Sequence, residues 1–201
     1  MGANPATSTS PAPWFVAVGA SGPVGLDDIG DLLRELPRSL NAVVLVVLHR
    51  PWDRVSHLGA VLSRSSRMPV IVASDGEPFK TGRAYVGGPA EHLTLATKSF
   101  GSLVQDPHRR YRNRTVDLLL MSLAEHAGAR SIGVILSGFL DDGSRGLAAI
   151  HHAGGLTMVL KPSGSPTPGM PENAISYDGP IDVIGSPEEI AHAITAMVAG
   201  S

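Results

Sequence analysis

The sequence predicts an α/β fold: a doubly wound, mostly parallel sheet with helices on both faces and a β-hairpin excursion, a Rossmann-like three-layer arrangement. Two patterns carry this expectation. Short runs such as Ala42 to Leu48 (AVVLVVL) are apolar at every position, as strands covered on both faces are. These runs alternate with segments whose apolar residues recur at helical spacing, the order that yields parallel strands joined by helical crossovers. Composition agrees: 43% of the 201 residues are hydrophobic and only 17% charged, enough apolar mass for a sizeable core. Aromatics make up 4%, so that core is mostly Val, Ile, Leu and Ala.

Met1 to Pro13 is small, polar and Pro-rich and reads as a flexible tail or linker remnant, with the folded domain over 14–201. Trp14 to Val18 is a first strand, ending in a tight Gly19-Ala20-Ser21-Gly22-Pro23 turn. A helix follows on Leu26, Ile29, Leu32, Leu33 and Leu36, with Asp27 and Asp28 suited to its positive first turn. Ala42 to Leu48 is the second strand, Val55 to Leu62 a second helix and Val70 to Ala73 a third strand. From Asp75 to Val104, short extended pieces around Gly82, Gly87-Gly88 and Gly101 read as the hairpin excursion. Val116, Leu119, Leu120, Leu123 and Ala127 give a helix closing at Gly128. Ile132 to Leu136 is a strand, Gly146 to Ala153 a helix and Leu156 to Leu160 a strand. Ser163 to Pro171 is a Pro/Gly/Ser loop and Ile181 to Ile184 a last strand. Ser186-Pro187-Glu188-Glu189 then has the residues of a capping box with Pro in the first turn.

Several function classes are excluded or disfavoured. The net charge of -2 gives no global attraction to nucleic acid, and no apolar run approaches a membrane span. With no cysteine there is no disulfide scaffold, thiolate zinc site or thiol nucleophile. The absence of a secretory signal fits a cytoplasmic location. The histidines outside the strand ends show no metal-ligand spacing. Gly19 to Gly25 lacks the Lys-Ser/Thr of a P-loop and the spacing of a dinucleotide fingerprint.

In open α/β sheets ligands bind beyond the carboxyl ends of the strands, so polar residues there are the candidates. Ser21 follows the first strand, His49 the second, and Asp141-Asp142 lie just past the strand at Ile132 to Leu136. Hydroxyl, imidazole and carboxylate on one sheet edge are the composition of a nucleophilic hydrolase. The imidazole takes the hydroxyl proton, and the carboxylate fixes its tautomer and stabilises its charged form. The residues alone also permit blander readings: Ser21 as a helix cap or phosphate contact, His49 as a satisfied core or surface side chain, and Asp-Asp-Gly as an ordinary turn. Arg109, Arg110, Arg112 and Arg114 crowd one loop, read as solvated, with steering of an acidic helix or of nucleic acid the functional alternatives.

At these residues the sequence resembles the catalytic domain of the chemotaxis receptor methylesterase family, the CheB type, over about Phe15 to Val198. The likeness rests on Val18-Gly19-Ala20-Ser21, Leu48-His49-Arg50-Pro51, Val116-Asp117-Leu118-Leu119, Gly133 to Gly138, Asp142-Gly143 with Gly146-Leu147, Ala153-Gly154-Gly155 and Gly169-Met170-Pro171. It implies Ser21 as nucleophile, His49 as base and Asp142 as orienting acid. Backbone N–H groups near Gly22 and Phe139 would hold the oxyanion, and His92 and Met170 are candidates to line the ester pocket or to pack. The implied activity is hydrolysis of γ-glutamyl methyl esters on the cytoplasmic helices of chemoreceptors, with glutamine deamidation in some members. No metal or organic cofactor is implied, and a receiver domain is expected to act in cis or in trans. Two features depart from the family: Pro23-Val24 stands where Gly-Gly is usual, and Phe139-Leu140 replaces Met-Gly. They motivate a competing reading as a non-catalytic interaction or regulatory module; a small-molecule esterase is a third.

Overall fold

The computed structural model describes residues 12–50, 56–88, 91–106, 108, 114–164 and 166–200. In chain order its elements are β1 (Trp14–Ser21), α1 (Gly22–Glu35), β2 (Ala42–His49), α2 (Leu58–Ser65), β3 (Val70–Val72), β4 (Arg83–Val86), β5 (Glu91–Ala96), β6 (Phe100–Gln105), α3 (Thr115–Ala127), β7 (Ser131–Ile135), α4 (Ser144–His152), β8 (Leu156–Leu160), α5 (Met170–Tyr177), β9 (Val183–Gly185) and α6 (Pro187–Ala199). Seven strands form one sheet in the order β3-β4-β2-β1-β7-β8-β9, and every neighbouring pair is parallel. The expected α/β sheet is therefore present, and β5 with β6 forms the expected antiparallel hairpin outside it.

Because successive strand residues face opposite ways, β1 and β2 sort their side chains between two cores. Val16, Val18, Ala20, Val44, Val46 and Leu48 pack with Ile29, Leu32 and Leu33 of α1, Leu58 and Leu62 of α2, and Ile190 and Ile194 of α6. Phe15, Ala17, Val43, Leu45 and Val47 face Val116, Leu119, Leu120 and Leu123 of α3, Leu147 and Ile150 of α4, and Leu93 and Leu95 of the hairpin. The sheet is thus the middle of three layers. Chain order runs from β1 outward to β2, then returns to β7 on the other side of β1. The reversal lies at β1, the switch point where such sheets open a crevice.

Local departures from the sequence reading have physical causes. β1 does not stop at Val18 but continues to Ser21, and α1 starts at Gly22. Asp27 and Asp28 consequently lie beyond the first turn of α1, which holds no acidic residue. The Arg83–Val86 segment, expected within the excursion, is instead a strand of the main sheet between β2 and β3. Its Tyr85 is buried in the α3-side core. The α5 helix was not expected from the Pro/Gly-rich stretch before it. Gly169 caps it, with its N–H donating to Glu172 Oε2 at 2.9 Å and Pro171 in the first turn. The capping box at α6 forms as expected: the Glu189 N–H donates to Ser186 Oγ at 3.2 Å and the Ser186 N–H to Glu189 Oε2 at 2.7 Å. Val55 of the second helix lies outside the described residues.

Gly19 shows how tightly α3 sits on β1. A Cβ there would fall 2.1 Å from Val116 Cγ1, and valine has little rotamer freedom in a helix. Gly19→Ala is expected to lower stability by about 1–3 kcal/mol through overpacking, measured as a drop in the urea midpoint. An unchanged midpoint would show that α3 can back away.

Candidate active site

Ser21 and His49 end adjacent parallel strands and are register partners, Ser21 opposite His49. Neighbouring strands lie about 4.8 Å apart, and partners in register point to the same face. That face is the α3 side, since Phe15 and Ala17 before Ser21, and Val43, Leu45 and Val47 before His49, all pack there. Ser21 is 7% exposed and has extended backbone, φ -142 and ψ 142. The chain turns sharply into α1 through Gly22 at φ +72, a left-handed conformation that glycine adopts without strain. The Pro23 departure is accommodated because it occupies the first turn of α1, where a backbone N–H has no intrahelical acceptor.

Asp142 reaches the same face by a different route. Its carboxylate accepts hydrogen bonds from the Val116 N–H (Oδ2, 3.1 Å) and the Asp117 N–H (Oδ1, 2.9 Å), two of the orphan donors at the start of α3. Asp117 returns the arrangement: its Oδ1 accepts from the Gly143 N–H at 3.0 Å and the Gly146 N–H at 2.9 Å, at the start of α4. Each carboxylate thus caps the other's helix, in a buried reciprocal clasp. Arg145 adds weaker contacts, 3.5 Å to Asp117 and 3.3 Å to Asp141. Since Val116 rests directly on Gly19, the clasp suspends Asp142 over β1 just before Ser21. Burial pushes the Asp142 carboxyl up to about 6, and the charges of Asp117 and Asp141 act in the same direction. The Asp117 and Val116 amides pull the other way.

The loop from Ser137 to Gly143 closes the site beside Ser21. The Ser21 N–H donates to the Ser137 carbonyl at 2.9 Å, and the Ser137 N–H donates to Asp28 Oδ2 at 3.2 Å, tying the loop to β1 and α1. With the Ser21 amide so used, the Gly22 and Phe139 amides are the donors at hand; neither has a backbone acceptor among the described residues. The Phe139 ring lies against Gly22, 3.4 Å from where a Cβ would stand. Leu140 sits at φ +67, left-handed backbone that costs a leucine roughly 1 kcal/mol. Its carbonyl is held by Asn173 Nδ2 at 2.7 Å.

The sequence-derived candidates divide accordingly. Ser21, His49, Asp142, Gly22 and Phe139 come together at one end of the sheet. Met170 is 1% exposed and packs against Gly138, so it supports the loop from below. His92, at the base of the hairpin, pairs with Asp106 Oδ2 at 3.3 Å through Nε2. Among the described residues no hydrogen bond joins His49 to Ser21 or Asp142, and no cluster of His, Asp and Glu has the arrangement of a metal site. Arg109, Arg110 and Arg112 lie outside the described residues. Sequence reasoning gave no role to Asp117, and placed Asp28 in the first turn of α1 rather than at the Ser137 amide it holds. The available signal for Asp117 was an acid set inside the apolar stripe of Val116, Leu119, Leu120 and Leu123.

The comparisons with known proteins bear on this arrangement. The family model described as CheB methylesterase matches residues 16–194. A protein-glutamate methylesterase/protein-glutamine glutaminase of Pectobacterium atrosepticum is 31% identical over 188 residues, 92% of this chain and 53% of that protein. The third such protein of Myxococcus xanthus is 32% identical over 203 residues, 96% of this chain and 56% of the relative. The crystal structure of the Thermotoga maritima CheB methylesterase catalytic domain superposes with a TM-score of 0.83 at 26% identity, covering 92% of this chain and 99% of that one. The chain spans about half the length of the curated relatives it matches.

Two outcomes are expected from the clasp. Asp117→Ala leaves two buried amides without acceptors and should lower stability by about 2–4 kcal/mol by urea denaturation, whereas Asp117→Asn keeps an oxygen for both and should retain most of it. Equal losses would deny the capping role. Asp142 has its carboxyl raised in the folded state, so its contribution is fully present below the unfolded value of 3.8 and is lost as pH rises through about 6. Relative to Asp142→Ala, the parent chain should lose up to roughly 3 kcal/mol between pH 4 and 7. A pH-independent difference would contradict the burial.

Proposed function

The chain belongs to the CheB methylesterase family, and from that premise we propose that 14–201 forms a protein-glutamate methylesterase domain with Ser21 as nucleophile. The observation that carries this reading is the register of β1 and β2, which sets a hydroxyl and an imidazole opposite each other on the face where Asp142 is held. His49 removes the Ser21 proton as Oγ attacks the γ-carbonyl of a methylated glutamate. It then protonates the departing methoxide, releasing methanol. Asp142 keeps one lone-pair direction on each oxygen beyond the α3 amides, enough to accept from the imidazole and balance its charge. The Gly22 and Phe139 N–H groups stabilise the oxyanion. Water then attacks the acyl-enzyme with His49 again as base, regenerating Ser21 and leaving a free glutamate carboxylate. Catalytic hydrogen bonds are commonly long before substrate binds, and the His49 links are expected to close then.

The substrates by this reading are methyl esters on chemoreceptor cytoplasmic helices, with glutamine deamidation a second activity and a receiver domain acting in cis or in trans as regulator. No helix among the described residues is long and apolar enough to cross a membrane; the reading places the protein in the cytoplasm. A triad needs no metal or organic cofactor.

Ser21→Ala and His49→Ala should each reduce methanol release from a methylated receptor fragment by about 10⁴-fold or more. A fluorophosphonate probe should label the parent chain at Ser21 and leave folded Ser21→Ala unlabelled. Absence of both labelling and turnover in folded parent protein would favour the binding-module reading.

A further inference from the structure

Three apolar side chains stand in solvent at the mouth of the site. Phe139 is 73% exposed, Leu140 63% and Val24 63%, the highest values among the large hydrophobic residues described. They belong to two segments in contact, since the Phe139 ring rests against Gly22 and Val24 follows in the same turn of α1. None of the three contributes to either buried core. Leu140 is the most telling. It holds a left-handed backbone that glycine would occupy without strain, and it gains no burial in return. A strained, exposed apolar residue beside a reactive group points to use rather than folding.

We infer that Val24, Phe139 and Leu140 form an apolar rim that selects the substrate by contacting apolar side chains flanking the esterified glutamate, one helical turn away on the polypeptide. This rests on the proposed esterase function and adds a specificity filter to it. The occupant is dictated by the reaction: an ester on a protein arrives with its neighbouring residues, and on a helix those at three and four positions away share its face. The same rim cannot grip a free glutamyl ester, which brings no such neighbours. Leu140 is aimed by its backbone, with the Asn173 side chain clamping its carbonyl. The two departures from the usual family residues therefore act together as one recognition surface.

The test compares two helical peptides bearing one γ-methyl glutamate, one with leucines three and four residues from the ester and one with serines there. The parent chain should favour the leucine peptide in kcat/KM by tenfold or more. Leu140→Gly and Val24→Ser should each shrink that ratio at least threefold, with the Leu140→Gly thermal midpoint equal to or above the parent's because strain is relieved. Val72→Thr, at a 57% exposed apolar residue on the edge strand β3, should leave the ratio unchanged. Hydrolysis of both peptides at similar rates, or a ratio that survives both rim variants, would overturn the inference while leaving the esterase function standing. Hydrolysis of neither would remove the function and the rim together.

Discussion

The exchange of carboxylates between Asp117 and Asp142 is the constraint from which the site's geometry descends. Two helices begin side by side on one face of the sheet, each with amides that lack acceptors. Each receives its acceptor from the other's leading segment. Neither carboxylate can leave without exposing two buried donors, and neither helix can slide without breaking bonds to both carboxylates. The contact of Val116 with Gly19 then fixes this pair against β1. A charged group is thereby held in a buried position near the end of the central strand, at a penalty seen in its elevated pKa. In the proposed mechanism this carboxylate is the partner of the His49 imidazole, and perturbed carboxyls of this kind cluster at functional sites.

The second element is provided by the sheet itself. Parallel neighbours in register deliver Ser21 and His49 to one level and one face without any specific contact between them. The switch of chain direction at β1 leaves that edge uncovered by a crossover, and the Ser137–Gly143 loop of the strand on the other side fills it. Three segments far apart in sequence thus converge because parallel strands all end on the same rim. The loop is tethered at its start by Ser21 and Asp28 and at its middle by Asn173, so its amides are presented by structure already in place, as the proposed oxyanion site requires.

Much of this was legible in the sequence, and the rest was hidden for definable reasons. Continuous apolar runs and helical spacing gave the parallel sheet, and Ser186 with Glu189 gave the α6 start down to its hydrogen bonds. Ser21 and His49 stood out because each is the first polar side chain at the end of an apolar run. The place of β4 was not legible, because four residues, Arg83–Val86, carry too little pattern to separate a central strand from a hairpin arm. The α5 helix was masked by the Pro/Gly content of its entry. The start of α1 was misjudged because Gly22 at positive φ permits a strand to turn directly into a helix without the loop residues that Gly19-Ala20-Ser21 suggested. Asp117 stood out only as part of a motif, since its partners are backbone amides brought near by tertiary folding.

The departures Pro23-Val24 and Phe139-Leu140, which from sequence alone motivate the competing binding-module reading, look different in place. Pro23 stands where its missing N–H is not needed, and Phe139 and Leu140 change side chains while keeping the loop's backbone tethers. The most direct measurement is a crystal structure of the chain with a phosphonate ester bonded to Ser21 Oγ. The account predicts the His49 imidazole within about 3 Å of both the phosphonate oxygen on Ser21 and an Asp142 oxygen, with the second oxygen of the adduct facing the Gly22 and Phe139 amides. An adduct in which His49 is turned away, or in which Asp142 contacts only the α3 amides, would contradict it.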